Sequence, residues 1–62
     1  MRVTIYLKDG SIDVLEDVQN IDYINWYPEE EVWFYKESKT GLELDRISYK
    51  EKDIEQIKVR MG

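Results

Sequence analysis

The chain has 62 residues, of which 42% are apolar, 13% aromatic and 37% charged, a composition that excludes a disordered chain. The absence of both Cys and His excludes disulfides and thiolate zinc sites and argues against nucleophilic catalysis. Fourteen acidic against nine basic residues give a net charge of −5, which disfavours direct binding of nucleic acid or of anionic membranes.

A chain of this size predicts one domain, residues 1–62, with a thin core, because a domain of about 60 residues buries only about 60% of its unfolded surface. Extra stability must come from aromatic packing or from self-association, so a homodimer is one expectation. No stretch approaches the ~20 apolar residues of a membrane span, and the start of the chain alternates instead of forming an apolar run. We therefore expect a cytoplasmic protein whose net charge is also ordinary for a soluble small domain.

Period-two alternation predicts the first strands. Residues 2–7 alternate apolar with polar side chains, as a half-buried strand does. Asp9-Gly10 then predicts a hairpin turn, because Gly takes the positive φ that a tight turn requires. Residues 12–16 continue as the second strand, and a bend follows at residues 17–20.

The segment INWYPEEEVWFY predicts a long aromatic hairpin in the middle of the chain. Residues 21–27 and 32–36 are rich in β-branched and aromatic side chains, as strands are. Pro28 cannot donate to a ladder, so it and the three glutamates that follow predict the hairpin tip at residues 28–31.

The last third of the chain resumes the alternation. Residues 37–41 predict a polar connector, residues 42–47 a strand, residues 49–53 a one-turn helix and residues 57–61 a final strand. An α+β alternative would make residues 49–59 one helix.

Five or six short strands joined by tight turns, with no helix long enough for a parallel crossover, predict an antiparallel all-β fold. A meander of this length must curl to cover its own apolar face. We therefore expect a small SH3-like barrel or a strongly twisted five- to six-stranded sheet.

The sequence contains no catalytic or metal-binding motif. Neither Ser11, Ser38 nor Ser48 has a recognisable activating partner nearby, and among fourteen acids some pair suited to glycoside hydrolysis arises by chance. Asp9 and Asp13 do not match the spacing of a calcium-binding loop. We predict a protein that is not an enzyme and that has no cofactor and no metal.

The aromatic side chains of the hairpin give the candidate binding surface. If Val32 and Phe34 pack inward with Ile24 and Trp26, the other rings form an outward patch with an acidic rim. The predicted partner-binding residues are Tyr23, Tyr27, Glu29, Glu30, Glu31, Trp33 and Tyr35, with Glu37 also on the rim. Alternatively, the rings only form cross-strand pairs, and the glutamates only keep the ribbon soluble and discourage edge pairing.

An exposed aromatic patch with an acidic rim is complementary to a basic protein surface, because rings supply affinity and charges supply steering. We therefore expect a non-catalytic protein-binding module that occludes or regulates a nucleic-acid-handling protein. The alternative is a small-ligand or nucleotide-sequestering protein, with Tyr, Trp and Arg46 or Arg60 at a homodimer interface. In a third interpretation the domain only assembles with itself.

The layout of YLKDGS, a central aromatic hairpin and a closing KDIEQIKV resembles short all-β proteins of Firmicutes genomes, their prophages and phages. Asp9-Gly10 and residues 52–59 carry this resemblance, which covers the whole chain by layout. It implies a small β-fold and an origin in a mobile element. Several phage proteins of this size and acidity look like inhibitors of host defence systems, so the resemblance implies an anti-defence inhibitor.

Overall fold

The computed structural model describes residues 1–26, 29–38, 40–41 and 43–61. Within these residues the chain forms strands and one short 3₁₀ helix. In chain order they are β1 (Arg2–Leu7), β2 (Ile12–Leu15), β3 (Val18–Trp26), β4 (Glu29–Glu37), β5 (Leu44–Lys50), the 3₁₀ helix (Glu51–Asp53) and β6 (Ile54–Arg60). The antiparallel all-β prediction is therefore confirmed.

The strands divide between two antiparallel sheets of three strands each. Sheet I has the order β2–β1–β6, and sheet II has the order β3–β4–β5. The chain is not one continuous meander, because β6 returns to pair with β1 instead of with β5. Met1 and Val18 exchange two hydrogen bonds of 2.9 and 3.0 Å, but in the part of the chain that the structure describes no ladder closes the sheets into a barrel.

The turn between β1 and β2 forms where the sequence predicts it. Gly10 has a φ of 93°, in the left-handed region that favours glycine, and the Leu7 amide donates to the Ser11 carbonyl at 2.9 Å. The Asp9 carboxylate accepts bonds from the Ser11 hydroxyl and from the Ser11 amide at 2.8 Å. Both bonds lower the pKa of Asp9, and the bond from the Ser11 hydroxyl has the larger effect. They also hold the turn closed.

The boundary between β2 and β3 is sharper than the sequence predicts. β2 ends at Leu15 and β3 already begins at Val18. The predicted bend at residues 17–20 is thus wrong beyond Asp17, which turns the chain with a φ of 56°. A register shift follows between Val18 and Asn20, so part of the bending is absorbed inside the strand.

The aromatic hairpin is present, but its strands are longer than predicted. β4 begins at Glu29, so the glutamates lie in the strand and the predicted tip at residues 28–31 is wrong for them. Pro28, the remaining residue of the predicted tip, and Tyr27, the last residue of the predicted strand, lie outside the described residues.

The last third confirms a short helical turn and a final strand. The turn is the 3₁₀ helix Glu51–Asp53, shorter than the predicted residues 49–53. Glu37, the first residue of the predicted connector at residues 37–41, belongs to β4 instead. Lys39 of this connector lies outside the described residues. The α+β alternative is wrong, because residues 49–59 contain the end of β5, this turn and β6.

The core lies between the inner faces of the two sheets, as in other packed pairs of sheets. Phe34 of sheet II is fully buried and meets Tyr49 edge-on, with ring centroids 5.7 Å apart. The Tyr49 hydroxyl then donates to the carboxylate of Asp13 in sheet I at 2.8 Å. The buried side chains are Val3, Ile5, Leu15, Val18, Val32 and Phe34.

Candidate functional site

The outer face of β4, turned away from the core, carries two of the predicted rings side by side. In an antiparallel pair, residues that face each other directly point to the same side of the sheet. Trp33 lies between Asp22 of β3 and Ser48 of β5. These neighbours are short and polar, and Trp33 is half-buried, with its indole nitrogen covered.

Tyr35 continues this row two residues further along β4. It lies between Asn20 of β3 and Arg46 of β5 and is also half-buried. Glu31 and Glu37 have the same parity on the strand, so the two rings are bracketed by carboxylates. We call Glu31, Trp33, Tyr35 and Glu37 the aromatic strip.

Arg46 lies over the aromatic strip. Its guanidinium carbon is 4.2 Å from the centroid of the Trp33 ring, which is a cation–π contact worth about 0.5–1 kcal/mol at an exposed site. The linear sequence offers Arg46 and Arg60 alike as partners of the rings. The register of β5 on β4 brings it to the ring.

The predicted patch is split between the two faces of sheet II. Tyr23 lies directly opposite Val32, so it belongs to the inner face, although 65% of it is exposed near the end of the sheet. Ile24 lies opposite Glu31 and so belongs to the outer face, not with Val32 and Phe34 as predicted. The assignment of Tyr23 to one patch with Trp33 is therefore wrong.

The acidic rim is divided in the same way. Glu31 lies on the outer face, opposite Lys50 of β5, whereas Glu30 points to the inner side. The backbone of Glu29 pairs with that of Trp26. Tyr27 lies outside the described residues, so the structure brings together Glu31, Trp33 and Tyr35 of the predicted set.

A groove of about 630 Å³ opens between the end of the β3–β4 pair and β6. Sequence reasoning missed this site, because its walls come from segments far apart in the chain. Tyr23 and Val32 meet Ile54 and Ile57 there. The charged residues that line it are Lys8, Glu30, Lys50, Glu51, Lys52 and Glu55.

Two carboxylates meet at the rim of this groove. The register pairs Glu31 with Lys50, so Glu30 and Glu51 follow at the next position. The hydrogen bond and the charge of Glu30 raise the pKa of the Glu51 carboxyl, with a smaller contribution from burial. The negative charge of Glu30 therefore favours the protonated form of Glu51.

One further titratable pair lies at a partly buried site between the two sheets. Burial, together with the hydrogen bond to Asp13, raises the pKa of Tyr49 to about 12. Since this hydroxyl joins the two sheets, its role is structural.

The described residues offer no arrangement of three or more Asp or Glu side chains that could hold a metal ion. Nor does that part of the chain contain a helix long and apolar enough to cross a membrane. Compared with known proteins, the chain matches no family model, and neither a curated protein nor a solved structure is significantly similar to it.

Proposed function

We propose that the protein is a non-catalytic protein-binding module that holds a partner with a basic surface on the aromatic strip. The observation that carries this proposal is that Trp33 and Tyr35 lie next to each other on the outer face of β4, away from the core. Partly exposed Trp and Tyr side chains are the commonest sources of binding energy at protein interfaces. The carboxylates of Glu31 and Glu37 at the two ends of the strip favour cationic neighbours.

The groove supports this role less well. Three lysines and three glutamates line it, so its charge does not favour a partner of either sign. The outer face around the aromatic strip, by contrast, carries Asp22, Glu31 and Glu37 against Arg46 and Lys50, and Arg46 is engaged with a ring.

The proposed partner is a nucleic-acid-handling protein, because such proteins present basic surfaces that accept aromatic and anionic groups. Stoichiometric binding would then occlude the nucleic-acid site, as expected of an anti-defence inhibitor encoded by a phage. The resemblance of the sequence layout to phage proteins supports this extension.

A pull-down with variants of the aromatic strip tests the proposal. The wild-type protein, a Tyr35→Ser variant and a Glu31→Lys/Glu37→Lys variant are immobilised and exposed to the same bacterial lysate, and retained proteins are identified by mass spectrometry. We expect one protein to be retained by the wild type and lost from both variants, with the charge-reversed variant also losing the salt dependence of binding.

Tyr23→Ser is the matched control, because it removes an exposed tyrosine from the other face of sheet II. It should retain the same partner. If Tyr23→Ser abolishes retention while both strip variants keep the partner, the aromatic strip is not the binding surface.

A nucleotide-sequestering function is the second candidate, because Arg46 converges with Trp33 as such a site requires. Arg60 does not take part, since it lies in sheet I opposite Arg2. Calorimetry with nucleoside mono- and triphosphates distinguishes the two functions. Saturable heat that is lost in an Arg46→Gln variant supports sequestration, and its absence leaves protein binding as the function.

A further inference from the structure

The outer face of sheet I collects basic residues from both ends of the chain. β6 pairs with β1 so that Arg60 lies directly opposite Arg2 and Lys58 directly opposite Thr4. All three cations are exposed. Like charges placed directly opposite each other are destabilising, so sheet I keeps this arrangement at a cost.

The charge of this face is opposite to that of the rest of the molecule. Glu16 is the anion beside it, and its carboxylate lies 2.8 Å from Arg2 Nε. Three cations and one anion give the face a net charge of +2. Since the chain carries −5, the remainder carries −7.

The same face is apolar along its other edge. Ile12 and Val14 of the edge strand β2 lie opposite Tyr6 and Thr4, and the two side chains are 56% and 54% exposed. Tyr6 lies on the middle strand at one end of the face, with the Lys58 ammonium 5.5 Å from its ring centroid. We call the residues Arg2, Tyr6, Ile12, Val14, Lys58 and Arg60 the basic face.

The two rows of the basic face are set apart by two strand spacings, about 10 Å. This is also about the diameter of an α-helix with its side chains. A partner that covers the face must therefore bring apolar groups over β2 and anionic groups over β6.

We propose that the basic face binds an acidic, amphipathic protein segment, whose apolar side chains cover Ile12 and Val14 and whose carboxylates pair with Lys58 and Arg60. This inference goes beyond the proposed function, because it places a second interface, for a partner of opposite charge, on the other sheet. The protein would then hold a second partner while it occludes the first.

A short acidic segment fits better than a larger polyanion. Nucleic acid or an anionic bilayer extends beyond the face and is repelled by the rest of the chain, which carries −7. Nucleic acid also offers few apolar groups to cover the exposed aliphatic side chains of β2. An amphipathic protein segment can contact both rows.

The test uses a fluorescein-labelled peptide of about four helical turns, with leucine on one face and glutamate along its flank. Fluorescence anisotropy should show saturable binding to the full chain at low salt. We expect Lys58→Glu/Arg60→Glu to weaken binding at least about tenfold. Ile12→Thr/Val14→Thr should weaken it severalfold at low and high salt alike, because the lost contact is apolar.

Lys8→Glu/Lys52→Glu is the matched control, since it makes the same change in net charge at two exposed lysines outside the basic face. It should change the affinity for the peptide less than about threefold, because only the long-range effect of net charge remains. Circular dichroism checks that each variant folds, and Lys58→Gln alone replaces the double variant if that one does not.

The proposal is overturned if the peptide does not bind saturably, or if the control variant loses as much affinity as the face variant. If a glutamate peptide without leucine binds as tightly, charge attraction alone accounts for the binding and the apolar row does not contribute. Tighter binding of a single-stranded oligonucleotide or of phosphatidylserine vesicles, lost in the same face variants, would assign the face to that ligand. Self-association in sedimentation that these variants abolish would assign it to a second copy of the chain.

Discussion

Asp17 holds the backbone conformation that separates the two sheets. Its φ of 56° lies in the left-handed region, which costs most side chains about 1–2 kcal/mol, although Asp and Asn tolerate it better. Its carbonyl accepts the Glu37 amide at 3.2 Å, so the conformation is fixed by sheet II. The sequence showed a turn-prone residue here but could not show that a single residue makes the bend.

We predict that Asp17→Ala lowers the free energy of unfolding by about 1 kcal/mol, because alanine lacks the polar side chain that tolerates this region. Asp17→Gly should stay within about 0.5 kcal/mol of the wild type, since relief of strain offsets the added chain entropy. Urea unfolding followed by circular dichroism measures both. A glycine variant as unstable as the alanine variant would contradict this explanation.

Tyr49 is the residue that ties the two sheets together through a polar contact. Its hydroxyl donates to Asp13 at 2.8 Å at a partly buried site. We predict that Tyr49→Phe costs about 1–2 kcal/mol of stability, because a bond to a charged acceptor is lost while the ring contact with Phe34 remains. Tyr35→Phe, on the outer face of sheet II, should cost less than about 0.5 kcal/mol in the same measurement.

The raised pKa of Tyr49 gives this prediction a pH dependence. The folded protein keeps the phenol proton up to about pH 12, whereas an unfolded tyrosine loses it near pH 10. The contribution is therefore complete below pH 10 and is lost as the pH rises through about 12. Tyr49→Phe should abolish this part of the alkaline loss of stability, and an unchanged alkaline profile would contradict the assignment.

At the scale of elements, the contact between β4 and the 3₁₀ helix contains a like-charge pair. Glu30 and Glu51 meet there, and the pKa of Glu51 is raised chiefly by its hydrogen bond with Glu30. A carboxyl whose pKa is raised on folding contributes most stability below its unfolded pKa, near 4.5, and loses that contribution as the pH rises through the folded value. The pair thus destabilises this contact at neutral pH.

We predict that Glu51→Gln raises the melting temperature at pH 7, because the amide removes one charge and can still donate to Glu30. The difference from the wild type should shrink toward zero below about pH 4, where the wild-type carboxyl is itself protonated. Differential scanning calorimetry across this pH range measures it. Glu55→Gln on β6 serves as the control, and an equal gain there would show a general effect of net charge.

The aromatic hairpin and its two faces show how far the sequence can predict the candidate site. Composition was enough to predict the aromatic hairpin, because β-branched and aromatic residues cluster on both sides of Pro28. The assignment of the hairpin side chains to the two faces of the sheet was wrong, although odd and even residue numbers could have corrected it. Two residues, an even number, separate the paired ends of β3 and β4. Odd-numbered residues of β3 therefore lie opposite even-numbered residues of β4, so Tyr23 is on the same face as Val32.

Contacts that depend on strand pairing could not be predicted in this way. Arg46 over Trp33 depends on the register of β5 on β4. The row of Arg2 and Arg60 and the groove that joins Tyr23 to Ile57 depend on the return of β6 to β1. Local patterns in a sequence carry strand identity but little about such long-range pairing. The surfaces proposed for binding depend on these pairings.

At the scale of the whole molecule, the two sheets share one small core. Val3 of sheet I and Phe34 of sheet II are both fully buried in it, and a reciprocal pair of bonds between Met1 and Val18 adds a backbone link. Neither sheet of three short strands has a second apolar layer of its own. We therefore expect each sheet to depend on the other for its stability.

We predict that Val3→Ala lowers the free energy of unfolding by about 2 kcal/mol, from the lost burial of two carbons and the cavity that remains. Because both tryptophans lie in strands of sheet II, their fluorescence reports on the sheet that is not mutated. The urea midpoint from fluorescence should shift as far as the midpoint from far-ultraviolet circular dichroism. Val59→Ala makes the same chemical change at a side chain that is 47% exposed, so it should cost less than half as much. A fluorescence midpoint that stays in place while the dichroism midpoint moves would show that sheet II folds without sheet I, and the two faces proposed for binding would then not belong to one rigid body.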